Sequence, residues 1–299
     1  MSLKIEQKVS LAPLTSWLVG GAADYFCLPQ SVEELKEALQ YAQKNSLPIT
    51  VLGGGSNVLI SDDGIRGLTI GLKNFREIKT QEIDGQLEIQ CLSGTSKSDL
   101  LKVFLKYQLE PALFLAGIPG DVGGGIVMNA GVAENFKPRE FCEVVAEFEV
   151  LKPDLQLQRY TNQQVEWSYR HSRGWEPGII TWVTLRWPLH KDPSVLDKVR
   201  QANKVRLSKQ PLDMPSCGSV FINPTGHKAA QLIDSCGLKG FSMGGAQVSL
   251  KHANFIVNTG SATARELWSV IQHVKETVLR EKNVELKTEV VLLGDWAKG

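Results

Sequence analysis

LGGGSNVLI, residues 52–60, carries three successive glycines out of an apolar run and returns through Ser56 and Asn57 to apolar residues. Consecutive glycines reach positive φ and leave no Cβ in the way, so successive main-chain N–H groups can converge on one anion. Ser56 and Asn57 add side-chain donors. Upstream, Leu47–Leu52 reads as a short strand. Before it, Ser31 and Glu34 form a capping box opening a helix whose apolar stripe is Val32, Leu35, Ala38, Leu39 and Ala42. Ile65–Leu72 reads as a further strand. The first block is thus α/β, with a glycine loop at the end of a strand. Taken alone, such a loop reads first as a turn with no ligand.

A second glycine-dense stretch, FLAGIPGDVGGGIVMNAG, occupies residues 114–131. Two loops from separate blocks suit a diphosphate held between them. The chain has no GxxxxGK[ST], no GxGxxG opening a helix after the first strand and no G-x-S-x-G, which disfavours P-loop NTPases, Rossmann dinucleotide sites and serine hydrolases. Around the second loop, Leu87, Ile89 and Cys91 alternate as in a strand, and Leu100–Leu109 reads as a helix with Ser96 and Asp99 as caps. Residues 142–150 alternate as a half-buried strand with Cys142, Val144, Ala146, Phe148 and Val150 on one face. A turn at Lys152-Pro153-Asp154 leads back into Leu155–Tyr160, and Gly178–Trp187 forms a strand closed by Pro188. The third block offers a helix over 194–208, a turn and short strand over 216–224, and a helix Ala229–Cys236 stopped by Gly237. It continues with a strand Phe255–Asn258, a long helix capped by Thr263 and Glu266, and a final strand Val284–Leu293. This irregular mixture indicates an α+β fold.

Bulk composition narrows the class. The 299 residues are 42% hydrophobic and 22% charged, with Lys+Arg 33 against Asp+Glu 32, so no global field favours nucleic acid or an anionic membrane. The cations of Lys191–Lys209 also fit a solvated helix face. Five scattered cysteines without a CxxC pair argue against a disulfide framework or structural zinc, and no HExxH is present. His171, His190, His227 and His273 read as surface or core residues, and no metal is expected. The N-terminal residues lack a secretory core and no run reaches the ~20 apolar residues of a membrane span, so a cytoplasmic location is expected.

LGGGSNVLISDDGIRG, AGIPGDVGG with MNAG, WSYRHS, SCGSVFINP and GLKGFSMGGAQVSLKHANFIVN together resemble the UDP-N-acetylenolpyruvoylglucosamine reductase family, in order, over about residues 14–294. The resemblance implies a two-part FAD-binding unit of the vanillyl-alcohol oxidase type, residues 1–73 and 74–190. A smaller α+β substrate-binding domain follows, residues 191–299, whose last strand returns Glu289 to the active site. It implies NADPH-dependent reduction of the enolpyruvyl ether of UDP-N-acetylglucosamine to UDP-N-acetylmuramate through non-covalent FAD. The partner is then a small nucleotide sugar, with no nucleic acid and no membrane. Residues assigned to FAD by the resemblance are Gly53, Gly54, Gly55, Ser56, Asn57, Gly117, Ile118, Pro119, Gly120, Gly123 and Gly124. Thr15, Gly20 and Gly21 resemble N-terminal flavin contacts, whereas Trp17 is as readily core.

The same resemblance assigns Arg170 to the substrate carboxylate, Ser219 to proton donation and Glu289 to the active site. It assigns Tyr169, Asn223 and Gln247 to substrate binding. A guanidinium is permanently charged and binds a carboxylate through two parallel hydrogen bonds. On residues alone, Arg170 is a loop arginine and Ser219 a turn serine. Strand parity places Glu289 on one face with Val291 and Leu293, a setting that would raise its pKa. His252 fits a structural role as well as a ligand-facing one. Four features depart from the family pattern: Ile222 in place of a cation, Lys287 and Thr288 before Glu289, and the run Val132–Arg139. No long insertion precedes GSVF, which matches the shorter subtype lacking an extra tyrosine loop. Two other readings stay open: another FAD-dependent oxidoreductase acting on a sugar or hydroxy acid, and a non-catalytic nucleotide-sugar binding protein.

Overall fold

A computed structural model describes residues 3–132 and 137–296. The chain divides into two compact units. The first comprises Met1–Ile5, Cys27–Gly54 and Thr69–Lys204; the second comprises Glu6–Phe26, Gly55–Leu68 and Val205–Gly299. The division therefore runs through the first glycine loop, between Gly54 and Gly55, and differs from the three blocks read in the sequence.

The first unit is built on five antiparallel strands in the order Ile78–Ile83, Gln86–Leu92, Ile179–Pro188, Val145–Leu151 and Leu157–Thr161. Leu87, Ile89 and Cys91 are fully buried, as their alternation indicates. They meet Leu100 and Phe104 of the helix Lys97–Lys106, together with Phe114, Ile126 and Phe141, in one core. The strand expected from Cys142 starts at Val145, because Phe141–Glu143 forms a short helical turn. Register shifts against Ile179–Pro188 then bring Val145 to the core along with Phe148 and Val150, which simple alternation cannot do. The helix Val32–Lys44 buries Leu35, Ala38, Leu39 and Ala42. Ser31 Oγ accepts from Glu34 N–H, whereas the Glu34 carboxylate reaches Gln30 N–H.

The second unit gathers Trp17, Val19, Leu59, Phe221, Val270 and Leu286 into a separate core. Its long helix, Ala264–Lys282, carries the full reciprocal cap of Thr263 and Glu266 and ends at Asn283 with φ 53°. Asp62 adds to that cap: its two carboxylate oxygens accept from Ala264 N–H and Arg265 N–H, each at 2.9 Å. The helix packs on a three-stranded antiparallel sheet, Ser242–Met243, Ala246–Val248 and Ile256–Asn258. Two expectations need correction. The final strand is only Val291–Leu293, parallel to Val58–Ile60, a strand the sequence did not signal. Residues 216–224 contain one bridge, Phe221 to Thr288, instead of a strand. Antiparallel sheets with helices on them, not a parallel doubly wound sheet, make the fold α+β.

Candidate functional site

In the first unit the two glycine loops meet main chain to main chain. A Cβ on Gly54 would lie 2.8 Å from Gly120 Cα, and one on Gly53 would collide with the Asp121 carboxylate. Asp121 stands at the joint: Oδ1 accepts from Gly124 N–H at 2.7 Å, and the carboxylate faces Gly53 and the Gly54 amide of the first loop. It is 6% exposed, and burial pushes its carboxyl pKa up. Lys97, 4% exposed, holds the same loop twice, from its N–H to Gly120 O at 3.0 Å and from Nζ to Pro119 O at 2.9 Å. Burial brings Lys97 down to about 8, Asp121 opposing the shift and Arg170 adding to it.

The second glycine run is no open row of amides. Val122, Gly123 and Gly124 donate to Thr95 O, Ser93 O and the Asp121 carboxylate. Gly123 instead serves a close approach, since a Cβ there would sit 2.9 Å from Ser93 Cβ. Gly54, Pro119 and Gly124 are exposed, and Gly117, Ile118 and Gly120 half-exposed. The joined loops therefore show a strip of backbone almost free of side chains. That strip fits the pyrophosphate of a dinucleotide such as FAD, which needs approach to main chain without a Cβ in between.

Gly55, Ser56 and Asn57 belong to the second unit. Gly55 has φ 63°, and a Cβ there would collide with Leu14 O. The Asn57 side chain does not face an anion with its amide: Nδ2 donates to Glu289 O at 3.1 Å, while Asn57 O accepts from Val291 N–H. Thr15 is buried and its hydroxyl bonds Val19 O. Gly20 and Gly21 pack on Ile60 and on the Asp62 backbone. Trp17 is core, 0% exposed, with its indole N–H donating to Ile256 O at 2.7 Å.

Tyr169 and Arg170 form the turn of a hairpin between Glu166–Ser168 and His171–Arg173, with Arg170 at φ 59°. Arg170 is not a surface arginine. Its side chain is 13% exposed, Nη2 donates to Gly131 O at 2.8 Å, and Nη1 stands 3.8 Å from the Glu140 carboxylate. Asn129 fixes Glu140 from behind at 3.0 Å and also holds Ser168 O. Tyr169 is exposed, its ring centroid 4.6 Å from the guanidinium carbon. Of the departing run Val132–Arg139, residues 133–136 lie outside the described residues.

In the second unit Gly218, at φ 83°, bends the chain into Ser219. Asn254, buried, bonds both Phe221 N–H and Phe221 O, and its own carbonyl takes Val220 N–H. Opposite, Ile222 N–H donates to Lys287 O and Glu289 N–H to Val220 O at 2.8 Å. The Ser219 and Glu289 segments therefore lie side by side. Both residues are half-buried. The parity argument for Glu289 fails, because Val291 is exposed and Val290 is the buried neighbour. Cys217, fully enclosed, has its thiol pushed well up by burial and by the Glu289 charge. Asn223 Oδ1 accepts from Ala229 N–H and so caps the helix Ala229–Ser235. Gln247 is half-buried in its strand, with Nε2 3.5 Å from Gly240 O. His252 is structural: Nδ1 accepts from Asn254 N–H, its ring stands edge-on to Phe255, and burial, then Lys239, lowers its pKa. Among the described residues no three His, Cys, Asp or Glu side chains group as metal ligands, and no helix is long and apolar enough to cross a membrane.

Sequence reading missed Asp121, Lys97 and Asn254. A buried signal exists only for Asn254, a polar residue inside the apolar run Ala253–Val257.

Comparison with known proteins agrees with this geometry. Residues 23–160 match the FAD binding domain model. Residues 210–293 match the model of the UDP-N-acetylenolpyruvoylglucosamine reductase C-terminal domain. The chain is 38% identical to the UDP-N-acetylenolpyruvoylglucosamine reductase of Pediococcus pentosaceus, over 95% of this chain and 93% of that one. It is 39% identical to the enzyme of Listeria welshimeri, over 99% and 96%. The crystal structure of the Thermus caldophilus enzyme superposes with a TM-score of 0.80 at 30% identity, covering 97% of this chain and 99% of that chain.

Proposed function

The chain belongs to the UDP-N-acetylenolpyruvoylglucosamine reductase family, and from that premise we propose the following reaction and residue roles. The protein reduces UDP-N-acetyl-3-O-(1-carboxyvinyl)-glucosamine to UDP-N-acetylmuramate with NADPH and bound FAD, a cytoplasmic step toward peptidoglycan. Kinship over nearly the whole chain carries this reading, and the side-chain-free joint of the two glycine loops supports it. Residues 1–73 and 74–190 serve FAD, and 191–299 serve the substrate. Gly53 to Asn57 and Gly117 to Gly124 are the FAD contacts.

The chemistry that FAD supplies when bound is hydride transfer from the nicotinamide to the CH2 carbon of the substrate. Negative charge then builds on the adjacent carbon and spreads into the carboxylate. Arg170 binds that carboxylate. Its contacts to Gly131 O and Glu140 orient the guanidinium in advance, so little reorganisation accompanies the charge. The Ser219 hydroxyl gives its proton to the charged carbon, a strongly basic acceptor for an otherwise weak acid. Glu289, on the segment beside Ser219, assists that proton transfer. Tyr169, Asn223 and Gln247 bind the substrate.

Purified protein should be yellow, bleach anaerobically with NADPH, and regain colour on addition of the enolpyruvyl nucleotide sugar. Colourless protein that takes up no FAD would overturn the reading.

A further inference from the structure

We propose that Asp121 and Lys97 form a buried clasp that fixes the spacing of the two glycine loops and thereby sets the affinity for FAD. The inference rests on the function proposed above but concerns residues which that function leaves unassigned. The two are positioning residues acting through the loop backbone.

One carboxylate accepts the Gly124 N–H of its own loop and lies against the other loop, where a Cβ on Gly53 would collide with Oδ2 and where the Gly54 amide faces it. The Lys97 ammonium donates to Pro119 O beside it, while its main-chain N–H holds Gly120 O. Both side chains are withdrawn from water, at 6% and 4% exposure. A carboxylate is the side chain suited to this post, being acceptor-only at both oxygens. In Asp121→Asn one acceptor becomes an NH2 that confronts an amide donor, so one loop must let go. The buried anion in turn needs a buried cation, and Lys97 supplies it. The charged groups acting on Lys97 are Asp121 and Arg170, with Glu140 beside Arg170, while the Phe141 ring lies 5.4 Å from Nζ. Lys97 titrates near pH 8 in this setting, so raising the pH past that point removes the cation while the carboxylate stays.

The test strips flavin from the holoprotein and measures the FAD dissociation constant by flavin fluorescence quenching. It uses wild type, Asp121→Asn, Lys97→Met and the double variant, with far-UV circular dichroism to verify folding. Each single variant is expected to bind FAD at least tenfold more weakly, and the double variant less weakly than the product of the two losses. Folded single variants within twofold of wild type, or losses that simply multiply, would overturn the clasp. Should the single variants not fold, wild type decides: its dissociation constant is expected to rise at least fivefold from pH 7 to pH 9.5. A flat profile would reject the clasp. Wild-type protein that neither releases FAD on denaturation nor binds it when added rejects the underlying function, and the clasp with it.

Discussion

Arg170 occupies a hairpin turn, where arginines are ordinarily wet, yet its guanidinium is turned inward onto Gly131 O. A cation fixed in that way is ready for an anion without paying for reorganisation at the moment of reaction. Glu289 is held differently, through its backbone, by Asn57 Nδ2 and Val220 O. Glu289→Gln should leave FAD bound and flavin reduction by NADPH intact. Reoxidation by the enolpyruvyl substrate should slow by about two orders of magnitude, the scale of general acid catalysis, in anaerobic stopped flow. Unchanged half-reactions would remove Glu289 from the mechanism. Lys97 gives a signed pH dependence. Its pKa falls from 10.5 in the unfolded chain to about 8 in the folded one, so between those values the unfolded state binds more protons. Stability therefore rises with pH across that window. In urea unfolding, wild type should gain up to about 3 kcal/mol on Lys97→Met from pH 8 to pH 10.5. Arg170, Ser219 and Glu289 are singled out in the sequence because each sits in a short motif. Lys97 and Asp121 were not, because what makes them unusual is mutual burial across a long sequence separation, and no local pattern encodes that.

Elements follow the same division between local and distant causes. The helix Ala264–Lys282 was readable to its first residue, since Thr263 and Glu266 cap it within one turn. Thr263→Ala should cost about 1 kcal/mol in denaturant unfolding; a loss well below that would mean that Asp62, on the same helix end, carries the cap alone. The helix Val32–Lys44 was equally legible from its stripe. The last strand was not. Val291–Leu293 is set by a parallel partner, Val58–Ile60, far away in sequence, and residues 284–290 are tied instead by bonds to Val220 and Ile222. Alternation misled again at Val145, where a register shift overrode a period of two. Both glycine loops were legible, whereas the close approach of their backbones was not. Gly53 and Gly54 exist so that two backbones can touch, and only the outward side of that joint is left for a ligand.

For the molecule as a whole, the ligand is part of the stability. Free FAD at about a hundred times its dissociation constant adds ~2.7 kcal/mol to the folded state. For a chain of this size that corresponds to a rise of roughly 4 °C in melting temperature. Gly54→Ala, whose new methyl would stand 2.8 Å from Gly120 Cα and force one backbone to shift, should lower the flavin-free melt and abolish that rise as well; a full FAD shift in this variant would separate the loop joint from flavin binding. The second unit is assembled from Glu6–Phe26, Gly55–Leu68 and the segment from Val205 onward. Trp17 shares a core with Leu286 and Val290, far downstream in the chain. During synthesis on the ribosome the earlier pieces must wait, with Trp17, Val19 and Leu59 uncovered, until Leu286 and Val290 have emerged. A nonsense codon between Leu59 and Leu286 consequently leaves an exposed indole and a half-made core for the cell's proteases, never a smaller working enzyme.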